Sequence, residues 1–310
     1  MPNILFAAAP DQWDDYAQHL RRALDQAGLR TARVGPDIPA ADVDYIVYSP
    51  NSPVQDFSRF PRLKAVLSLW AGVETIVDNA TLKVPLTRMA DAGLREGMVE
   101  WVTGHVLRHH LGLDTHITDQ SGTWRPDAPP LARHRTVAVL GLGELGAACA
   151  RMLATLNFNV TGWSRSPKSL PEITCHHGAE GLDTCLASAE IAVLLLPDTP
   201  ETENTLNTRT LALMPRGAVI VNPGRGTLID DDALLAALDA GQIGHATLDV
   251  FRTEPLPKDH RYWAHPNVTV TPHIASETRP DTASELIAEN IARAEADEPL
   301  RHVVDRNLGY

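Results

Sequence analysis

Thr136-Val-Ala-Val-Leu-Gly-Leu-Gly-Glu-Leu-Gly146 is the most informative run of the chain. Its first five residues are a short apolar, β-branched segment that ends at a glycine, and the residues after it open a helix that reaches about residue 156. Between strand and helix, Gly141, Gly143 and Gly146 stand in the G-x-G-x-x-G spacing. Gly141 permits a tight turn, Gly143 lets the backbone approach a pyrophosphate, and Gly146 lets the helix pack closely on the strand. Glu144 and Leu145 begin the helix, whose unsatisfied N–H groups face an anion. The same spacing also serves tight strand-to-helix turns that hold no ligand. Here a further strand follows about 20 residues on, as a dinucleotide site requires.

On either side of this run, short apolar segments alternate with helix-length amphipathic ones, the pattern of parallel strands under crossover helices. Downstream, strands are expected at 159–163, 191–196, 218–222, 245–250 and 268–271, giving six in all, the complement of a doubly wound nucleotide domain. Upstream, strands are expected at 3–8, 30–34, 45–49, 65–69 and 86–89, with a helix at 11–27 closed by Gly28. A long helix over 97–119, followed by a turn-rich loop at 121–135, marks a boundary between two domains. The chain ends in a helix over 280–296 and a tail that runs to Tyr310.

The 310 residues fit two domains of about 150, and 44% hydrophobic with 21% charged residues is a globular composition. A balance of 27 Lys+Arg against 39 Asp+Glu leaves −12, so no general basic field attracts a polynucleotide. Three cysteines, Cys149, Cys175 and Cys185, are too few and too irregularly spaced for a disulfide framework. With no basic, apolar leader and no run long enough to span a bilayer, a cytoplasmic protein is expected, without nucleic acid or membrane as partner.

An NAD site usually carries Asp or Glu at the end of its second strand for the ribose hydroxyls. This chain places Ser164, Arg165 and Ser166 there, with Lys168 close behind. A cation in place of a carboxylate suits a 2′-phosphate, so NADP(H) is expected in preference to NAD(H). The alternative is a solvated basic loop.

Three polar positions follow later strands, at the carboxyl ends where open α/β sheets bind ligands. They are Arg225 after Asn222-Pro223-Gly224, Glu254 after Phe251, and His273 after Thr271-Pro272. Reduction of a carbonyl needs a proton donor and a positive group at the oxygen. Imidazole, with an ordinary pKa of about 6.5, suits the donor, which makes His273 the expected general acid/base. Glu254 on the other ring nitrogen would fix its tautomer, and Arg225 offers a fork for a carboxylate or keto oxygen. Each alone has a duller reading, as an interdomain hydrogen-bonding group or a surface residue in a turn.

These motifs, together with Leu194-Leu-Leu-Pro-Asp-Thr-Pro-Glu-Thr202, Val221-Asn-Pro-Gly-Arg-Gly-Thr-Leu-Ile-Asp230, Leu248-Asp-Val-Phe251 and Thr271-Pro-His-Ile-Ala275, make nearly the whole chain similar to the D-isomer-specific 2-hydroxyacid dehydrogenases. The resemblance implies an α/β fold of two doubly wound parallel-sheet domains, the second a Rossmann domain inserted into the first. The substrate domain would comprise 1–97 plus 279–310, and the dinucleotide domain 98–278. It makes Arg225, Glu254 and His273 catalytic, and adds Leu196, Pro197, Pro223, Gly224 and Asp249 as cofactor contacts; the plainer reading of Asp249 is a strand-end turn residue. It assigns substrate binding to Trp70 and the loop Ala71, Gly72 and Val73, read independently as a Gly loop before a helix start, with Arg225 alongside; Tyr48, also expected at the substrate, stands where the chain departs from its relatives, which carry a Trp-containing stretch there. The implied activity is reduction of a small 2-ketoacid, glyoxylate or hydroxypyruvate, to a D-2-hydroxy acid. A larger 2-ketoacid, an inorganic oxyanion or a non-enzymatic nucleotide sensor are the rivals. A homodimer is implied, in which Trp124 either reaches the partner's site or covers apolar surface of its own chain. His105, His109 and His110 on the long helix lack the carboxylate of an H-E-x-x-H arrangement, and His176 with His177 lies in a loop-like stretch, so no metal is expected.

Overall fold

The computed structural model describes residues 1–118, 121–124 and 126–309. It divides into two compact units, Met1–Leu94 with Glu277–Tyr310, and Arg95–Ser276. Asp119, at the expected end of the long helix, and Tyr310, at the expected end of the tail, lie outside the described residues.

The first unit carries a five-stranded sheet of β1 (Asn3–Ala7), β2 (Arg33–Gly35), β3 (Tyr45–Tyr48), β4 (Ala65–Ser68) and β5 (Leu86–Thr87) in the order β2-β1-β3-β4-β5. Every pairing is parallel. Strands β3 and β4 are buried along their whole length, as expected where both faces of a parallel sheet are covered. Helix α1 (Gln12–Gln26) buries Tyr16, Leu20, Ala23 and Leu24. It packs beside α8 (Pro280–Glu295), which starts on a proline that pre-sets the first helical φ.

Helix α2 (Ala92–Leu111) runs on from the first unit into the second. It begins five residues before the expected Gly97, and Gly112, at φ +63°, breaks it from α3 (Leu113–Thr118). An L side chain is strained in that left-handed conformation, so a glycine there ends the helix.

The second unit is a seven-stranded, all-parallel sheet of β6 (Thr136–Leu140), β7 (Asn159–Ser164), β8 (Thr174–His177), β9 (Ile191–Leu194), β10 (Ala218–Asn222), β11 (Ile243–Leu248) and β12 (Val268–Val270). The order is β12-β11-β10-β9-β6-β7-β8. One strand more is present than expected. His176 and His177 are on edge strand β8, not in a loop; its sequence Thr-Cys-His-His has no apolar alternation, and pairing with β7 rather than burial defines it. Two cores sandwich the sheet. One joins Ala138, Leu140, Ala192 and Leu194 to α5 (Gly178–Ala187), α6 (Thr208–Leu213) and α7 (Asp231–Asp239). The other joins Val137, Val139, Ile191 and Val193 to α2 and α4 (Glu144–Thr155). Each such side chain contributes roughly 1.5–3 kcal/mol on full burial.

The chain leaves β6 for β7 on one side and returns at β9 on the other. This reversal opens a crevice at the carboxyl ends of the strands, the switch point where such sheets bind ligands. Among the described residues no helix is long and apolar enough to cross a membrane.

Candidate active site

The first wall of the crevice is the glycine turn. Gly141 has φ +107°, donates its amide to the Trp163 carbonyl at 2.8 Å, and would drive a Cβ against the Leu195 backbone. A Cβ at Gly146 would strike the Gly141 carbonyl. These two glycines are demanded by the protein's own packing, but Gly143 is not. A Cβ there would meet nothing within 4 Å, and no side chain caps the first turn of α4 that it precedes. An exposed glycine at an uncapped helix start leaves N–H groups open to an anion, so these residues fit a dinucleotide pyrophosphate. Glu144 is exposed and Leu145 half-buried in that first turn.

At the end of β7, Ser164 is buried and donates its hydroxyl to the Ser166 carbonyl at 2.7 Å. Arg165, Ser166 and Lys168 are exposed, and residues 164–168 hold no carboxylate. Beyond β9, Leu196 is buried and Pro197 half-buried. The Glu201 carboxyl lies below the usual range because of hydrogen bonds from its own backbone and from Thr199, with the Arg165 charge adding to them.

The Arg225 turn follows β10. Asn222, 1% exposed, holds it from both sides, accepting from the Gly224 amide at 3.0 Å and donating to the Arg225 carbonyl at 2.9 Å. Pro223 and Gly224 are buried in the turn, and Arg225 Nη1 donates to the Gly224 carbonyl at 2.7 Å. Thr227 reaches the loop after β9 through Asp198 Oδ1 at 2.7 Å.

His273 and Glu254 meet directly, with Nδ1 2.7 Å from Oε2, while Oε1 accepts the Phe251 amide at 2.8 Å. The carboxylate requires the proton on Nδ1 and so directs Nε2 away from it. The imidazole is about half exposed. Its backbone has φ +55°, a conformation that persists only where the surroundings impose it. Asp249, 0% exposed, does so. Its carboxylate accepts from Thr271 Oγ1 at 2.6 Å, Ile274 N at 2.9 Å and Ala275 N at 2.8 Å, and its carbonyl accepts the His273 amide at 2.8 Å. Asp249, expected as a cofactor contact, also makes four hydrogen bonds to the histidine turn.

In the first unit, Trp70 is exposed after β4 and Ala71, Gly72 and Val73 follow in an irregular loop. Among the described residues none of the amides of Ala71, Gly72 and Val73 donates to a protein acceptor, which leaves three successive donors for an anion. The expected helix start after this loop is one turn only, closed by Ile76 N and Val77 N on the Val73 carbonyl. Tyr48 does not line a surface. It is 1% exposed, its ring packs edge-on against Phe57 at 5.6 Å, and burial raises its phenol pKa. Every residue of β3 is buried, which a four-residue apolar run does not by itself reveal.

Asn222 and Thr271, which hold the arginine and histidine turns, are the residues that sequence reasoning passed over. Both adjoin recognised motif positions, a signal available in the sequence. Among the described residues, no group of three His, Cys, Asp or Glu side chains is arranged to hold a metal ion.

Residues 103–275 match the family model for the D-isomer specific 2-hydroxyacid dehydrogenase NAD binding domain. The chain is 39% identical over 317 residues to the glyoxylate/hydroxypyruvate reductase A of Serratia proteamaculans (strain 568), covering 99% of this chain and 100% of that one. It is similar to a D-isomer specific 2-hydroxyacid dehydrogenase from Xanthobacter autotrophicus Py2 in complex with NADPH and MES, with a TM-score of 0.93 and 42% identity over 100% of this chain and 99% of that one. An NADPH-dependent glyoxylate/hydroxypyruvate reductase from Sinorhizobium meliloti, in complex with NADP and sulfate, gives a TM-score of 0.88 at 34% identity over 100% of both chains. With a match of this extent and glycine, arginine and histidine turns at the strand ends, the chain belongs to the D-isomer specific 2-hydroxyacid dehydrogenase family.

Proposed function

We propose that this chain is an NADP(H)-dependent reductase of small 2-ketoacids, glyoxylate or hydroxypyruvate, that yields a D-2-hydroxy acid. The observation that carries the reading is the 2.7 Å His273–Glu254 pair at the carboxyl end of a sheet that also bears the glycine turn and the Arg225 turn. The Serratia relative bears that activity in its name, and the Sinorhizobium structure holds NADP.

NADPH, when bound, supplies the hydride to the carbonyl carbon. Gly141, Gly143, Glu144, Leu145 and Gly146 would hold its pyrophosphate; Ser164, Arg165, Ser166 and Lys168 its 2′-phosphate; Leu196, Pro197, Pro223, Gly224 and Asp249 complete the bed. His273, held by Glu254 at Nδ1, gives a proton from Nε2 to the ketone oxygen as that oxygen gains charge. Arg225 meets the developing charge or the neighbouring carboxylate. The free amides of Ala71, Gly72 and Val73, beside Trp70, take the substrate carboxylate. In this assignment the unit built from the two chain ends is the substrate domain and residues 95–276 the dinucleotide domain. Cytoplasmic residence fits three unpaired thiols. A homodimer fits the exposed apolar side chains of Leu111, Leu113, Ile117, Trp124 and Leu131, which crowd one stretch of sequence.

Initial rates of NADPH oxidation with glyoxylate, hydroxypyruvate and longer 2-ketoacids test the reading. Turnover is expected with the two small acids, and His273→Ala should lower it by roughly 10² to 10⁴-fold. A His273→Ala rate within about tenfold of wild type would overturn the proton-donor role.

A further inference from the structure

Arg252 stands in the turn between Phe251 and Glu254, and its side chain leaves that turn for two other segments. Nε donates to the Ile229 carbonyl at 3.2 Å; Nη2 donates to the same carbonyl at 2.9 Å and to the Thr227 carbonyl at 3.1 Å. Nη1 reaches Glu203 Oε1 at 3.2 Å, and Nη2 also bonds Asn204 Oδ1. Thr227 and Ile229 lie in and just beyond the short 3-10 turn Gly226–Leu228, which begins one residue after Arg225.

The segment around Glu203 is laced to the same turn by backbone bonds. Asn204 N donates to the Thr227 carbonyl at 2.9 Å, Leu206 N to Leu228 at 3.0 Å, and Asp230 N to Leu206 at 2.9 Å. The Arg225 and Glu254 turns also touch through their backbones, since a Cβ on Gly226 would strike the Phe251 carbonyl and the Arg252 amide. Arg252 therefore closes a three-way junction. Its backbone belongs to the turn that carries Glu254, and every acceptor of its fork belongs to the segments that carry or brace Arg225.

We infer that Arg252 is a positioning residue that fixes the Arg225 guanidinium relative to the His273–Glu254 pair. The inference rests on the reductase reading for its kinetic consequence. A planar fork with five donors can span two carbonyls and two side chains at once, whereas a lysine ammonium is one point of charge and cannot. The opposing Glu203 carboxylate balances the charge, so geometry and not net charge is what the residue supplies. The bonds of Glu254 to the Phe251 amide and to His273 do not involve the Arg252 side chain. Loss of the fork loosens the arginine turn and the 203–206 segment that braces it, and leaves the histidine turn in place.

The test compares wild type with Arg252→Ala, Arg252→Lys, Arg225→Ala and the Arg225→Ala/Arg252→Ala double variant. Misplacement by about an ångström costs up to 10²-fold. Arg252→Ala should accordingly lower kcat/KM for the ketoacid by about 10 to 100-fold, with KM for NADPH and the pH–rate profile unchanged. Arg252→Lys should stay impaired, and in the Arg225→Ala background Arg252→Ala should add almost nothing. Hydrogen exchange supplies a readout independent of turnover: Arg252→Ala and Arg252→Lys should speed exchange at 203–206 and 225–230 and leave 268–276 protected. Full recovery by lysine, an additive double variant, a shifted pH profile or unchanged exchange at 225–230 would each overturn the inference. Wild type without ketoacid turnover would instead defeat the reductase reading, and the exchange result would still decide whether Arg252 holds the turn.

Discussion

His273 owes its direction to Glu254 and its backbone to Asp249, so the two carboxylates are expected to fail differently when replaced. Glu254→Gln keeps the shape but no longer imposes the Nδ1 tautomer or faces an imidazolium with a negative charge. Steady-state rates with glyoxylate should fall by about 10²-fold or more while the melting temperature stays within a few degrees. Asp249→Ala strips a buried turn of three donated hydrogen bonds, at about 1–3 kcal/mol for each donor left unsatisfied, and both the melting temperature and the rate should drop. Equal melting losses in the two variants would contradict this division. At Arg165, Arg165→Asp should swing the ratio of kcat/KM values for NADPH and NADH toward NADH; an unchanged ratio would remove the 2′-phosphate assignment. The turn roles of Gly141 and Gly146 were legible because each answers to a local steric demand that spacing alone expresses, whereas Gly143 meets no such demand within the protein. Arg252 and the buried state of Tyr48 were not, because both depend on which distant segments the fold brings alongside.

At the level of elements, β6, β9 and β10 were legible as short apolar runs, while β8 was hidden because a polar edge strand is specified by its partner β7. Helix α2 adds a polar surprise inside an apolar setting. His109 Nε2 lies 2.8 Å from Thr247 Oγ1 on β11, and the rings of His109 and His245 are 4.9 Å apart. Arg108 donates to Thr269 on β12 at 2.9 Å and to Asp114 at 2.6 Å. Burial first, then neighbouring positive charge, lowers the pKa of His109 to about 3 and that of His245 to about 4. Both histidines therefore stay neutral in the folded chain at pH values where the unfolded chain, at an ordinary 6.5, binds protons. Proton uptake by the unfolded state means that their contribution to stability is complete above about pH 6.5 and is lost as pH falls toward 4 and then 3. Urea midpoints should decline across that window, and His109→Gln/His245→Gln should flatten the decline. An identical pH slope in the double variant would rule out these two residues as its source.

Across the whole molecule, two doubly wound units were legible from the alternation of strand and helix patterns, and the helix at 280–296 hinted that the chain returns to its first unit. The exact crossings were not legible, because α2 runs without interruption through one of them. Unit two is continuous in sequence, whereas unit one is assembled from both ends of the chain, with α1 packed on α8. A protein ended after Ser276 should keep the cooperative melting of the seven-stranded unit and its affinity for NADPH. It should also bind a hydrophobic dye strongly, through the face of α1 on which α8 would have packed. Absence of dye binding would show that the first unit closes without its last helix. On the ribosome the same arrangement imposes a wait. At about 5–20 residues per second, the opening ninety-odd residues emerge and must stay soluble, their apolar helix face open to passing chaperones, until the final segment is synthesised and docks against them.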